Sequence, residues 1–84
     1  MRTKVINILL ECGMDMKSVE CRDYLTYDIL DSLLMAEIVI SLEDEFNIEI
    51  DGDDIIPENF INVDVITAMV EKLVGNSGTT EKVG

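Results

Sequence analysis

The chain has 84 residues, with 18 acidic side chains, six basic side chains, no histidine and a net charge of -12. A chain of this length forms one small domain, and its charge disfavours nucleic acid and anionic membranes as partners, because like charges repel. Hydrophobic residues make up 48% of the sequence, but only two Phe, two Tyr and no Trp are present, so the core is aliphatic and favours packed helices.

The first predicted helix covers residues 3–12. Its apolar side chains recur at helical spacing on one face: Val5, Ile6, Ile8, Leu9 and Cys12. Gly13 follows in the position where helices commonly end. The segment also resembles a lipoprotein signal, but its apolar part, residues 5–10, is short, and Glu11 stands where a small residue is needed before the cysteine. We therefore interpret it as a helix.

Cys12 and Cys21 are the only cysteines. Without histidine, and at this spacing, they do not form a zinc-ligand pattern, and Cys12 is predicted to be a small buried hydrophobic residue. Two thiols in a chain without a signal peptide favour a reducing compartment, so we expect a cytoplasmic protein. No segment approaches the roughly 20 apolar residues of a membrane span.

Residues 14–30 show no regular hydrophobic period, which predicts a long loop wrapped over the core. Loops of this length without structure of their own are uncommon and often functional. This loop leads directly into the most regular helical pattern of the chain.

The central predicted helix runs from Ser32 to Phe46, with Asp31 as its N-cap. Its inward-facing residues follow the i, i+3, i+4, i+7 rule: Met35, Ile38, Val39, Leu42 and Phe46. The outer face carries Leu33, Ala36, Glu37, Ile40, Glu43 and Asp44. A mixture of aliphatic and acidic residues is typical of a partner-binding face, although single exposed aliphatic residues are also ordinary on protein surfaces.

The last part of the domain is predicted to contain two more helical segments. Pro57 begins a short turn that ends with Phe60 in the core, and Asn62 caps a helix over residues 63–74, which Gly75 ends. The domain covers residues 1–75, and residues 76–84 are predicted to be a disordered tail. The predicted fold class is all-α: a small four-helix bundle with three main helices, one short helix and a long loop between the first two main helices.

The aspartates near residue 52 do not form an EF-hand. That motif places Gly at position 6 and Glu at position 12, whereas here Gly52 falls at position 2 and Asn62 at position 12. We expect no dedicated metal site, although crowded carboxylates can bind divalent ions loosely.

Intrinsic catalysis is not expected. Without histidine, a serine nucleophile needs a lysine base, and no G-x-S-x-G motif surrounds Ser32. Paired carboxylates can act as acid and base, but 84 residues leave little volume for a substrate pocket of roughly 300 Å³ or more. We therefore predict that the chain is not an enzyme.

Ser32 has two interpretations. In the first, it shares the capping of the central helix with Asp31, which is an ordinary role for an Asp-Ser pair. In the second, it is modified by another protein, which requires only that it is exposed, rigidly presented and next to a docking surface. The helix N-terminus favours a negatively charged group attached there.

Residues 3–74 closely resemble the acyl and peptidyl carrier proteins. The resemblance depends on Asp31-Ser32-Leu33 at the start of the central helix, after an Ile-Leu pair, and on the Leu-Glu-acidic-acidic-Phe end of that helix. The downstream matches are Ile50, Asp53, Pro57, Glu58, Asn59, Phe60 and Val63. Ile29 stands where fatty-acid-synthesis carriers have a glycine, and the Ile-Leu pair looks more like free-standing carriers of aminoacyl, polyketide or nonribosomal peptide pathways.

The resemblance implies that Ser32 accepts 4'-phosphopantetheine from coenzyme A through a phosphopantetheinyl transferase. The arm would carry acyl or aminoacyl groups as thioesters to fatty acid, polyketide or nonribosomal peptide enzymes. The residues that correspond to the family's docking positions for basic grooves on the transferase, loading ligases and synthases are Asp31, Leu33, Glu37, Ile40, Glu43 and Asp44. The carrier would be monomeric. The alternative that stays open is an acidic interaction module that binds basic proteins without modification.

Added magnesium or moderate salt is expected to raise the melting temperature near neutral pH. Between Arg22 and Lys72 the chain has fourteen acidic residues and no basic residue, so counter-ions reduce the repulsion between the end of the central helix and the loop after it. Thermal unfolding across titrations with magnesium chloride and sodium chloride measures the effect. A flat melting temperature would mean that these carboxylates are well separated.

Overall fold

The computed structural model describes the backbone of residues 1–83 and the side chains of residues 1–75. It contains four α-helices, α1 (Arg2–Glu11), α2 (Met16–Val19), α3 (Ser32–Phe46) and α4 (Val63–Val83), and two 3-10 turns, Gly52–Asp54 and Pro57–Phe60. Residues 1–83 form no strand, so the all-α prediction is confirmed. α1 packs against the other three helices, and the second 3-10 turn, predicted as the short helix at Pro57, packs against α4.

α1 ends in a Schellman motif at Gly13, the predicted end of the first helix. Gly13 has a φ of 105°, a conformation that glycine adopts at little cost. Its N–H donates to the Leu10 carbonyl at 3.1 Å, and the Met14 N–H donates to the Leu9 carbonyl at 3.2 Å. These bonds satisfy carbonyls that the helix leaves unpaired, and they turn the chain toward α2.

The prediction of an unstructured loop over residues 14–30 is wrong in part, because α2 lies within it. Asp15 is the N-cap of α2, and its carboxylate accepts the Ser18 N–H at 2.8 Å. A helix of four residues is too short to produce a hydrophobic period. The one local sequence signal for α2 is Asp15, an N-cap residue three positions before Ser18.

The segment between α2 and α3, residues 20–31, is called the connection below. Tyr24 anchors it to the core. Its side chain is fully buried, its hydroxyl donates to the Val19 carbonyl at 2.7 Å, and its backbone N–H donates to the Ile61 carbonyl at 2.7 Å. The Asn62 side-chain amide adds a bond to the Arg22 carbonyl at 2.9 Å. The connection is therefore fixed between the end of α2 and the start of α4, and it delivers the chain to α3 in a defined position.

The core is mainly aliphatic, as predicted. The buried hydrophobic side chains from the three longer helices are Val5, Ile8, Leu9, Ile38, Val39, Leu42, Val63, Ile66 and Val70, and Tyr24 and Phe60 add two aromatic rings. The predicted core residues that are only partly buried and pack at its margin are Ile6, Cys12, Met35, Phe46, Met69 and Leu73. The residues at the centre of each predicted inward face are therefore buried, and the residues at its edges are partly exposed.

α4 begins as predicted but does not end at Gly75. Asn62 accepts the Val65 N–H at 2.8 Å, which is the predicted cap. The helix continues through Gly75 to Val83, so the predicted end is wrong. Gly75 does not have the positive φ of a terminating glycine, and one glycine inside a helix costs only about 1 kcal/mol relative to alanine. The predicted disordered tail, residues 76–84, falls on residues whose side chains lie outside the described part of the chain.

Tyr24→Phe is expected to lower the free energy of unfolding by about 1–2 kcal/mol, because it leaves the Val19 carbonyl without its buried donor. The matched control is Tyr27→Phe, since Tyr27 is 70% exposed and the loss of its hydroxyl should leave stability unchanged. Urea unfolding of both variants measures the difference. Equal stability of the two variants would contradict the anchoring role of Tyr24.

The same two variants also isolate the contribution of Tyr24 to the loss of stability at alkaline pH. Burial raises the pKa of Tyr24 to about 12, compared with about 10 in an unfolded chain. Between these values the unfolded chain loses the tyrosine proton while the folded chain keeps it, so the free energy of unfolding falls as the pH rises from about 10 to 12. Tyr24→Phe should remove this part of the decline, and Tyr27→Phe should retain it.

Candidate functional site

Asp31 ends the connection and begins α3. Its backbone is extended, with φ -131° and ψ 176°, and its carboxylate accepts the Leu34 N–H at 2.7 Å. This bond is the predicted N-cap, and it satisfies one of the donors that the start of a helix leaves unpaired. Because the first helical residue follows the cap directly, Ser32 lies on the first turn of α3.

Ser32 is exposed on this turn. Three serines have described side chains, and of these Ser18 and Ser41 are half-buried while Ser32 is exposed. Within the described part of the chain, the Ser32 hydroxyl has no hydrogen-bond partner. Asp31 therefore supplies the cap without a contribution from Ser32, and the serine oxygen is accessible from solvent.

Two clefts lie next to Ser32. The smaller cleft has a volume of about 150 Å³, includes Ser32 itself, and is lined mainly by Leu25, Leu30, Met35 and Pro57. The larger cleft, which we call the α1–α3 groove, has a volume of about 420 Å³ and includes both neighbours of the serine, Asp31 and Leu33. Its other walls include Cys12, Met14, Ser18, Ile29, Leu34 and Glu37. Both clefts mix apolar and polar side chains, and Asp31 lines both of them.

Four of the predicted docking residues lie on one stripe of α3. Leu33, Glu37, Ile40 and Asp44 are all exposed, and the two aliphatic side chains are 71% and 66% exposed, respectively. Their spacing of four, three and four residues places them on one helix face. We call these four residues the outer stripe. Its aliphatic and carboxylate side chains alternate, so a partner can make apolar contact and ionic contact on the same surface.

Glu43, the fifth predicted docking residue on α3, has a structural role as well. It is half-buried, and its carboxylate accepts the Ile50 N–H at 2.8 Å. This bond ties the last turn of α3 to the segment that follows it, after Asn47 has ended the helix in a left-handed conformation. The sequence pattern does not show this contact, because seven residues and a reversal of the chain separate the two groups.

The ion pairs of the described side chains do not involve the outer stripe. Arg2 pairs with Asp64 at 3.0 Å, and Lys4 approaches Glu45 at 3.9 Å. Exposed pairs of this kind contribute little to stability. The two carboxylates of the outer stripe are therefore unpaired in residues 1–75, and their negative charge is available to a basic partner.

Cys12 lines the α1–α3 groove but is not activated for nucleophilic chemistry. Burial raises the pKa of its thiol, the contact with the Ser41 hydroxyl at 3.8 Å lowers it, and the charges of Glu37 and Glu11 raise it. The net direction is upward, so the thiol is protonated at neutral pH. Reactive cysteines have a lowered pKa, and Cys12 does not belong to that class.

Within the described residues, no three or more His, Cys, Asp or Glu side chains are grouped so that they could hold a metal ion. The described helices also include none that is both long enough and apolar enough to cross a membrane.

Comparison of the chain with protein-family models, with curated proteins and with solved structures finds no match. The resemblance to carrier proteins therefore stays a prediction from the residues of the chain.

Glu43→Ala is expected to lower the free energy of unfolding by about 1–2 kcal/mol, because the partly buried Ile50 N–H loses its acceptor. Glu43→Gln keeps a side-chain oxygen that can accept the same bond, so it should be less destabilising than Glu43→Ala. Asp44→Ala is the neighbouring control on an exposed position and should change stability by less than about 0.5 kcal/mol. If chemical denaturation shows the same stability for Glu43→Ala and Asp44→Ala, the structural role of Glu43 is excluded.

Proposed function

We propose that the chain is a carrier protein of the acyl-carrier type, in which Ser32 bears 4'-phosphopantetheine and the arm carries acyl or aminoacyl groups as thioesters. The observation that carries this proposal is the exposure of Ser32 on the first turn of α3, directly after the Asp31 cap and at the end of the outer stripe. A serine in this position is presented on a rigid element and lies beside a surface that another enzyme can bind.

The local electrostatics suit a phosphodiester at this position. The N–H groups of the first helical turn point out of the start of α3, and the helix dipole favours negative charge there. The attachment replaces the hydrogen of the serine hydroxyl with a phosphoryl group. The serine oxygen forms the new bond to phosphorus, the bond between the two phosphates of coenzyme A breaks, and adenosine 3',5'-bisphosphate leaves. The serine proton passes to a general base, a role that this proposal gives to the transferase.

The outer stripe supports the second requirement of a carrier, which is brief contact with several enzymes. Its unpaired carboxylates attract basic surfaces over a distance, and the net charge of -12 adds to this field. Long-range attraction raises the rate of encounter more than it raises final affinity. The partners expected are a phosphopantetheinyl transferase, a loading ligase and synthase enzymes with basic docking surfaces. We expect the carrier to act as a cytoplasmic monomer.

A second candidate function is an acidic interaction module that binds basic proteins without modification. The exposure of Leu33 and Ile40 between carboxylates favours this candidate as well, since these residues form a docking surface that does not require the serine. Under this function, binding to a basic partner survives Ser32→Ala and is lost when Glu43 and Asp44 are neutralised, and the protein is never modified in its host.

Incubation with coenzyme A, magnesium and a broad-specificity phosphopantetheinyl transferase is expected to add the mass of one phosphopantetheine to the chain. Ser32→Ala should abolish the gain, and Ser41→Ala is the matched control that should retain it, because Ser41 lies on the same helix but is half-buried. Intact-mass spectrometry gives the result directly. An unchanged mass, under conditions that modify a known carrier protein, would contradict the carrier function.

A further inference from the structure

A third cleft, of about 350 Å³, adjoins the α1–α3 groove. It is lined by Lys17, Ser18, Cys21, Tyr27 and Ile29, and we call it the Tyr27 cleft. Ser18 and Ile29 also line the groove, and the groove in turn includes Leu33 and Glu37 of the outer stripe. The Tyr27 cleft is therefore connected to the outer stripe by residues that neighbouring surfaces share.

The Tyr27 cleft differs from the groove in the sign of its charge. The groove is lined by the carboxylates of Asp15, Asp31 and Glu37. Among the described residues no carboxylate lines the Tyr27 cleft, and its one charged group is the ammonium of Lys17. Lys17 is exposed, and the ion pairs of the described side chains do not include it. The charge therefore changes from negative to positive at one end of a continuous surface.

Tyr27 gives this end of the surface an exposed aromatic ring. The chain has four aromatic residues, all within residues 1–75, and Tyr27 alone is exposed, at 70%. Aromatic rings such as that of tyrosine are common among the residues that contribute most to binding, because they lose a large wetted area at a small cost in conformational entropy. The Tyr27 cleft therefore combines an apolar contact with a positive charge.

The backbone that carries Tyr27 is held in place on both sides. Before it, the Asp23 carboxylate accepts the Thr26 N–H at 3.0 Å and the Thr26 hydroxyl at 2.6 Å. After it, the Ile29 N–H donates to the Tyr24 carbonyl at 2.8 Å. A partner that binds the Tyr27 ring therefore does not have to order this segment, which lowers the entropic cost of binding.

The enzyme that modifies Ser32 is the partner best placed to use this surface. Its reacting atoms must reach the Ser32 oxygen at the start of α3, where Asp31 and Leu33 line the groove. Enzymes that act on the cargo react at the far end of the arm instead. The modifying enzyme therefore makes its closest contact beside the groove that adjoins the Tyr27 cleft.

We propose, resting on the carrier function inferred above, that the docking surface for the transferase extends from the outer stripe across the α1–α3 groove to the Tyr27 cleft. The matching surface of the enzyme is basic opposite the outer stripe. Opposite the Tyr27 cleft it has an apolar pocket for the ring and a carboxylate that pairs with Lys17. The opposite charges at the two ends fix the orientation of the carrier, because a reversed orientation brings like charges together.

The test measures the rate of phosphopantetheine attachment by the transferase of the protein's own cells, at a series of carrier concentrations. It compares Lys17→Glu with Lys72→Glu. Both lysines are exposed and lie outside the ion pairs of the described side chains, and both substitutions make the net charge of the chain more negative by the same amount. Lys72 is the matched control, because it lines a separate cleft with Asp54 and Met69.

Lys17→Glu is expected to lower kcat/KM by about fivefold or more, chiefly by raising KM, since it places one carboxylate against another in the docked complex. Lys72→Glu should leave kcat/KM unchanged or raise it, because added negative charge strengthens the long-range attraction to a basic enzyme. The two charge reversals therefore separate a local contact from the overall field.

Tyr27→Ala provides a second measurement that does not change the charge. It should also lower kcat/KM by about fivefold or more, and Tyr27→Phe, which keeps the ring, should recover most of the loss. Urea unfolding of each variant checks that the fold is retained, as expected for substitutions of exposed side chains.

Equal values of kcat/KM for Lys17→Glu and Lys72→Glu would overturn the docking assignment while leaving the carrier function intact. Full efficiency of Tyr27→Ala would overturn it too, as would a chain that the broad-specificity transferase loads but the transferase of its own cells does not. A chain that neither transferase loads overturns the carrier function and the docking assignment together.

Discussion

The hydrogen bond from the Leu34 N–H to the Asp31 carboxylate fixes the part of the structure on which the proposed function depends. It sets the residue at which α3 begins, and the helical period then determines the direction of every later side chain. Ile38 and Leu42 enter the core because the helix begins at Ser32. The outer stripe faces solvent for the same reason. A start one residue later would rotate the whole pattern by about 100° relative to the entry of the chain.

The position of this cap depends in turn on the connection before it. Tyr24 is buried and bonded through both its hydroxyl and its backbone N–H, to the end of α2 and to the segment before α4. Together with the bond from the Asn62 amide to the Arg22 carbonyl, these contacts hold the connection by three hydrogen bonds although it has little regular structure. This arrangement explains how an 84-residue chain with a small aliphatic core can present one serine rigidly. The acidic residues stay on the surface, where they reduce stability by mutual repulsion but increase attraction to basic partners.

Much of the fold follows from local patterns that are visible in the sequence. The Asp31 cap, the inward residues of α3, the Schellman glycine Gly13 and the Asn62 cap all depend on residues within one or two turns of each other, and the structure confirms them. The features that could not be predicted depend on contacts between distant residues or on weak signals. α2 is too short for a period, the Glu43 bond to Ile50 crosses a chain reversal, and Gly75 continues a helix that it was expected to end. The two clefts beside Ser32 require the packing of α3 against segments distant in sequence, the chain after α1 for the larger cleft and the Pro57 turn for the smaller one, which no local pattern contains.

Peptide-level mass spectrometry of the protein isolated from its own cells tests the carrier function most directly. Cleavage after glutamates places Ser18, Ser32 and Ser41 on three different peptides. The account predicts that the peptide containing Ser32 carries phosphopantetheine, free or as a thioester, and that the peptides containing Ser18 and Ser41 are unmodified. The thioester mass would also identify the cargo. Recovery of the Ser32 peptide in wholly unmodified form, from cells whose other carrier proteins are modified, would contradict the account and favour an acidic binding module.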